Sequence, residues 1–365
     1  MKIGIIVSSL ADGGAEKASA ILSKMLVNLN FEIVLISDSS AVMYDYDGKL
    51  VILDNLLTYK KGFLGKVLRT KLIRQIIKDE KFDAIIDTRA RESTLKQIVF
   101  NTLVFPISKT IFMLHNYNLA LYFPKNKILA KYLYNNSFYI IGVSKDAVLH
   151  AKEIYGFKRV KCIYNAIDDE IYAQAKQFVV DYDQPYILSY GRILDESKDY
   201  TFLIHSYKES KLPQLGIKLM IVGDGPDQEK IKKLIDLLKL EKHVIFKSFT
   251  SNPFPYVKKA LFTTLTSNFE GFPMVLMESL SLGTPVVAVD CKSGPSEIIE
   301  TGINGVLVPF KSAEKFVNAL NRMIEDPDFY SKCKKGTIPS VERFKMDYIA
   351  KQWKKLLNPL NNASQ

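Results

Sequence analysis

DDEIYAQAKQFVVDYDQPYILSYGR occupies residues 168–192. Residues 168–184 mix charged, polar and apolar side chains without a period. PYILSYGR (185–192) then reads as a fresh β-strand. A new strand after a structureless stretch marks a restart. Upstream, KIGIIVSS (2–9) reads as a strand. A helix follows, with apolar positions at Ala18, Ile21, Leu22, Met25, Leu26 and Leu29. FEIVLIS (31–37), DAIIDT (83–88), KTIFMLH (109–115) and YIIGVS (139–144) are further strands. Downstream, KLMIVGDG (218–225), KHVIFKSF (242–249), ALFTTLTS (260–267), TPVVAVD (284–290) and GVLVP (305–309) repeat the pattern, and helices at 313–325 and 346–357 close the chain. Near-continuous apolar strands alternating with amphipathic helices predict parallel sheets covered on both faces. The chain therefore reads as two doubly wound α/β halves joined within 168–184. Facing each other, two such halves would form a cleft, and ligands of open parallel sheets bind at the carboxyl ends of strands.

The bulk numbers agree. A chain of 365 residues suits two domains. With 47% hydrophobic and 24% charged residues it is globular rather than disordered. Cys162, Cys291 and Cys333 are scattered without metal-ligand spacing, which predicts reduced thiols in a cytoplasmic protein. The first apolar run ends at Asp12 and a glycine pair, unlike a secretory segment, and no apolar run reaches the length of a membrane span. Net charge is +11, and residues 1–180 carry 25 basic against 17 acidic side chains. The first half is expected to face something acidic, or only to repel itself.

Chemistry concentrates in NFEGFPMVLMESLSLGTPVVA (268–288). Glu270 follows a predicted strand, in a turn with Gly271, Phe272 and Pro273. A helix then begins near Met274 and carries Glu278. The N-terminus of that helix suits a phosphate, and carboxylates on either side of it suit sugar hydroxyls. A sugar nucleotide has that shape. Two glutamates alone would be better explained as one in a solvated loop and one on a solvated helix face.

EGFPMVLMESLSLGTPVVA closely resembles the E-x7-E region of family 4 glycosyltransferases, which have the GT-B fold. SGPSEIIETGINGVLVP (293–309), YGRILDESKDYTFLI (190–204), IVGDGPDQEKI (221–231), CIYNAIDDEIY (162–172) and, more loosely, SLADGGAEK (9–17) resemble other segments of that family. The resemblance implies two facing Rossmann-like domains: 1–170 for the acceptor, with helix 346–365 and its Trp353 returning to pack on it, and 171–345 for the donor. It implies that Glu270 orients the donor sugar and Glu278 its ribose. Arg192 and Lys198 would hold the diphosphate, Gly223 would let the nucleoside approach, and Phe249 would lie at the base. Gly13 and Gly14 would bring backbone N–H groups to the donor, and His115 would act near the anomeric carbon. Each has a plainer alternative: a surface Arg and Lys, a tight turn, a structural histidine. The activity implied is retaining transfer of a hexose or N-acetylhexosamine, most simply from a UDP-sugar, to a hydroxyl of a lipid-linked or cell-surface glycan. UDP leaves as product. No metal and no cofactor are expected. A related GT-B enzyme such as a nucleotide-sugar epimerase, and a non-catalytic partner subunit, are the rival readings.

KKGFLGKVLRTKLIRQIIKDEK (60–81) places apolar residues at helical spacing among Lys60, Lys61, Lys66, Arg69, Lys71, Arg74 and Lys78. It reads either as a domain helix with a solvated basic face or as a surface resting on anionic lipid at the inner face of the cell membrane. No nucleic-acid recognition module is present in the sequence.

Overall fold

A computed structural model describes every residue except Asp12, 58–61 and 364–365; for Phe63 and 361–363 it describes the backbone only. The chain divides into two compact units. One comprises Met1–Ala166 with Met346–Gln365, the other Ile167–Lys345. The division falls at the start of the unpatterned stretch. That stretch contains a short helix, Ile171–Gln174, and the Ile167 N–H bonds the Phe344 carbonyl at 2.9 Å, so it begins the second unit rather than linking the two.

The first unit is a seven-stranded sheet. Its strands are β1 (Lys2–Val7), β2 (Glu32–Ser37), β3 (Lys49–Ile52), β4 (Ala84–Asp87), β5 (Thr110–Leu114), β6 (Tyr139–Gly142) and β7 (Val160–Cys162). Their order is β3-β2-β1-β4-β5-β6-β7 and every pairing is parallel. The central strands are buried on both faces, which is why they read as unbroken apolar runs. β3 and β7 lie at the edges. They are short and partly exposed, and the periodicity gave no sign of them. Under β5 and β6, Phe112, Phe123, Tyr134 and Phe157 form an aromatic core with centroids 4.7–4.9 Å apart. The closing helix, Met346–Ala363, packs on Gly14–Asn28 and buries Trp353.

The second unit has six parallel strands: β8 (Tyr186–Tyr190), β9 (Lys218–Val222), β10 (Val244–Lys247), β11 (Thr263–Leu265), β12 (Val286–Asp290) and β13 (Gly305–Pro309). Their order is β10-β9-β8-β11-β12-β13. A helix at Pro327–Val341 falls where no element was expected. Gly336 and Pro339 read as breakers. Asp326 nonetheless caps the start, accepting from the Phe329 N–H, and the helix packs on Met274–Ser281 and Ala313–Glu325.

In each unit the winding reverses once. The strand order turns between β1 and β4, and again between β8 and β11. At such a point neighbouring loops diverge to opposite faces and leave a crevice at the carboxyl edge.

Candidate active site

In the second unit the loops after β8 and β11 meet at the reversal. The Asn268 N–H bonds the Ser197 carbonyl at 2.8 Å, and the Thr266 hydroxyl reaches the Lys198 carbonyl at 2.9 Å. Asp195 tightens the first loop. It accepts from the Thr201 N–H at 2.8 Å, the Thr201 hydroxyl at 2.6 Å and the Lys230 ammonium at 2.7 Å. Burial would raise its carboxyl, but these donors outweigh burial and hold it low. This framework brings Lys198 to Glu270, with Nζ to Oε1 at 2.6 Å; the same oxygen accepts from the Ser267 hydroxyl at 2.7 Å. The Glu270 main chain is fixed to the next loop, from its N–H to the Lys292 carbonyl at 2.9 Å and from the Ser293 N–H to its own carbonyl at 3.0 Å. Arg192 stands exposed on the same loop as Lys198 and has no carboxylate partner among the described residues.

Helix Met274–Ser281 starts directly after Gly271, Phe272 and Pro273, so its first N–H groups open at this edge. Glu278 is only 5% exposed, which rules out a solvated helix face. The Tyr190 hydroxyl lies 3.0 Å from Glu278 Oε2 and 2.9 Å from the Val275 carbonyl. Burial, and then the Glu278 charge, push Tyr190 well above the usual phenol value. Tyr190, Ser267 and Asp195 escaped the sequence reading because hydroxyls and carboxylates beside strands are common. Only the fold shows which ones meet.

Gly223 has φ +150° and Gly225 follows closely. A methyl on either would strike the carbonyl of Gly191 or Ile193. The GDG segment thus lets the loops after β8 and β9 run main chain against main chain, with the Ile193 N–H on the Asp224 carbonyl at 2.9 Å. Phe249 lies near the start of the loop after β10, 45% exposed, and its N–H bonds Asp224 Oδ2 at 3.0 Å.

In the first unit Gly13 caps helix Gly14–Asn28, but the Glu16 carboxylate folds back against it. A donor phosphate there would first meet that carboxylate. His115 follows β5 and lines a pocket with Ser19, Thr88, Tyr164, Asn165 and Trp353. Neither ring nitrogen has a protein partner. Burial, and then the nearby Arg91 charge, lower its pKa to about 4.

Beside this pocket runs a chain of alternating charges. Arg69 reaches Asp54 at 2.6 Å and Asp38 at 3.3 Å. Arg89 reaches Asp38 at 3.3 Å and Asp87 at 2.9 Å, and Arg91 lies 3.8 Å from Asp87. Burial alone would lower Arg89; the Asp87 and Asp38 carboxylates outweigh it and raise it. Of the basic residues expected on the face of 60–81, Arg69 departs from that expectation. The helix spans Gly62–Glu80 and buries Ile73 and Ile77 in the core. Arg69 points inward to carboxylates. Lys66, Lys71, Arg74 and Lys78 remain exposed, while Lys60, Lys61 and the Phe63 side chain lie outside the described residues.

No described helix is long and apolar enough to cross a membrane. The family model of glycosyl transferases group 1 matches residues 171–338. A Campylobacter jejuni protein, the N-acetylgalactosamine-N,N'-diacetylbacillosaminyl-diphospho-undecaprenol 4-alpha-N-acetylgalactosaminyltransferase, is 31% identical over 344 residues, covering 89% of this chain and 90% of that protein. The amylovoran biosynthesis glycosyltransferase AmsD of Erwinia amylovora is 22% identical, over 98% of this chain and 99% of its own length. Among solved structures, Anabaena HepE in complex with UDP and glucose superposes with a TM-score of 0.78 at 21% identity, covering 98% of this chain and all of that one. That likeness places the two parallel-sheet units in the GT-B fold. With the Campylobacter relative aligned along nearly its full length, the chain belongs to the group 1 glycosyltransferases.

Proposed function

We propose that this protein is a retaining, metal-independent transferase of glycosyltransferase family 4. It moves a hexose or N-acetylhexosamine from a UDP-sugar to a hydroxyl of a lipid-linked or cell-surface glycan. The observation that carries the reading is the Lys198–Glu270 pair at the strand-order reversal of the second sheet, beside the unpaired Arg192. Two fixed cations beside a helix N-terminus offset a diphosphate and the charge that grows on its leaving oxygen. Glu270, steadied by Ser267, then faces the donor sugar. Glu278, buried at an angle set by Tyr190, suits the ribose hydroxyls. In a front-face reaction the bond from the anomeric carbon to phosphate oxygen breaks. The bond to the acceptor oxygen forms on the same face, and the acceptor proton passes to the departing phosphate. No protein nucleophile is required.

The solved relative with UDP and glucose supports a UDP-linked donor, and the undecaprenol-linked substrate named for the Campylobacter relative supports a lipid-linked acceptor. The second unit takes the donor and the first the acceptor. Lys66, Lys71, Arg74 and Lys78 suit the anionic cytoplasmic face of a membrane, where such an acceptor lies.

The deciding experiment is a panel of UDP-sugars, each offered with a lipid-linked oligosaccharide and the product's anomeric configuration read by NMR. We expect one donor to be consumed, an α-linked donor to give an α-linked product, and EDTA to leave the rate intact. Glu270→Ala should lower kcat about 100-fold or more with a smaller change in donor KM. An inverted product, or activity lost to EDTA and restored by manganese, would overturn the mechanism. A C2- or C4-epimerised nucleotide sugar formed without acceptor would overturn the transfer itself.

A further inference from the structure

Arg91 follows β4 at the carboxyl edge of the first sheet, and its side chain turns inward. The guanidinium donates to the carbonyls of Asp87 at 3.4 Å, Arg89 at 3.0 Å and Met113 at 3.3 Å. It also lies over the rings of Phe112, Tyr122 and Tyr134, at 4.9, 5.3 and 5.9 Å from their centroids. Met113 precedes His115 by two residues. The His115 N–H donates to the Tyr122 hydroxyl at 3.1 Å. The turn that carries His115 is therefore held at both ends through one cation: upstream by its bond to Met113, and at the histidine itself by the phenol whose ring it covers. The Arg91 N–H adds a third tie, to the Leu121 carbonyl at 2.6 Å, joining the loops after β4 and β5.

The imidazole that this frame supports makes no use of its own polar atoms. Both nitrogens are shut from water and bonded to nothing in the protein, and the ring lines the pocket with Thr88 and Asn165. Leaving two buried polar atoms unmade is costly, so the arrangement fits a ligand that completes them. We propose that Arg91 is a positioning residue that fixes His115 as a neutral imidazole in this pocket, ready to exchange hydrogen bonds with a sugar hydroxyl. Only the identity of the ligand rests on the glycosyl-transfer reading; the holding is a property of the free protein.

Neutrality follows from the surroundings. Arg91 faces the ring from the loop after β4, and Tyr122 from the loop after β5. Helix Gly14–Asn28 brings Ser19 and, towards Tyr122, Glu16. The stretch after β7 brings Tyr164, and the closing helix only Ile349 and Trp353. Burial and a near cation both disfavour a second proton, in keeping with a pKa lowered to about 4. A neutral imidazole offers one donor and one acceptor. An imidazolium would offer two donors and repel the positive charge that develops at an anomeric carbon.

The test is histidine NMR on the intact protein, with His115 assigned among His115, His150, His205 and His243 through the variant His115→Gln. In the wild type the His115 ring signals should stay those of the neutral form down to pH 5. In Arg91→Met the titration midpoint should rise by about one pH unit, and kcat should fall at least tenfold. Arg91→Lys should keep the low midpoint but not the rate, because an ammonium cannot span three carbonyls. Tyr122→Phe keeps the aromatic packing and removes only the hydroxyl. It should leave the midpoint low and lower kcat several-fold with KM unchanged, which holds the proposal to account if Arg91→Met does not fold. A His115 midpoint unmoved in folded Arg91→Met, or full kcat in Arg91→Lys or Tyr122→Phe, would overturn it. Should His115→Gln retain full transfer, the histidine's part in the reaction falls, while the NMR result still decides how the ring is held.

Discussion

At the carboxyl edge of the second sheet, charged groups pair singly and stay within reach of solvent: Lys198 with Glu270, and Arg192 with no carboxylate among the described residues. At the same edge of the first sheet they run inward. Asp54, Arg69, Asp38, Arg89, Asp87 and Arg91 alternate in sign until Asp87 has no exposure at all. The folds are alike, but the charges do different work. A partly exposed pair can trade its partner for a ligand's phosphate at less cost than a buried one. The inner end of the chain, Arg89, Asp87 and Arg91, cannot trade, because any ion left behind would be desolvated and unpaired. What it supplies is geometry, fixing the loops after β2, β3 and β4 around one histidine.

The contrast breaks most visibly at Asp87. Asp87→Asn leaves Arg89 and Arg91 facing a neutral amide in the core, and should destabilise the first unit by about 3–5 kcal/mol. Hydrogen exchange should rise across β4 and β5 and stay unchanged across β8, β11 and β12. Uniform acceleration in both units, or none in either, would show that the chain is not a local device.

A smaller effect sharpens the other side. Glu278→Gln should weaken UDP binding about tenfold in calorimetry, with kcat nearly unchanged, because a ribose contact serves ground and transition states alike. Tyr190→Phe should do the same more mildly, since it frees the carboxylate to swing. A loss confined to kcat would move Glu278 from ribose to reaction centre.

The smallest effect is one of pH. His115 has a folded pKa of about 4 against an ordinary 6.5, so the unfolded chain takes up a proton over that interval and the folded one does not. Its contribution to stability is complete above about pH 6.5 and drains away as the pH falls towards 4. Between pH 7 and 5.5 the loss should be about 1 kcal/mol, read from denaturant midpoints and absent in His115→Gln. An identical pH slope in that variant would show that the ring titrates normally.

Parallel strands buried on both faces write themselves as unbroken apolar runs. Two sheets, eleven of their strands and the restart near β8 could therefore be read from local pattern alone. The edge strands β3 and β7 and the helix Pro327–Val341 could not, because partial exposure or internal Gly and Pro erases the period. The segment 268–288 was legible as a helix start flanked by two carboxylates because those residues are adjacent in sequence. Which hydroxyl steadies which carboxylate was not. Ser267 lies three residues from Glu270, but Tyr190 is 88 residues from Glu278. Arg69 shows the limit most plainly. Its helix spacing marked it as surface charge, and only the return of β2 and β3 beside that helix put Asp38 and Asp54 within its reach. Periodicity reports which side of an element is apolar, and so it determined the sheets and the halves. The pairing of charges depends on strand order, which brings residues far apart in sequence to one edge, and that the tertiary structure alone decided.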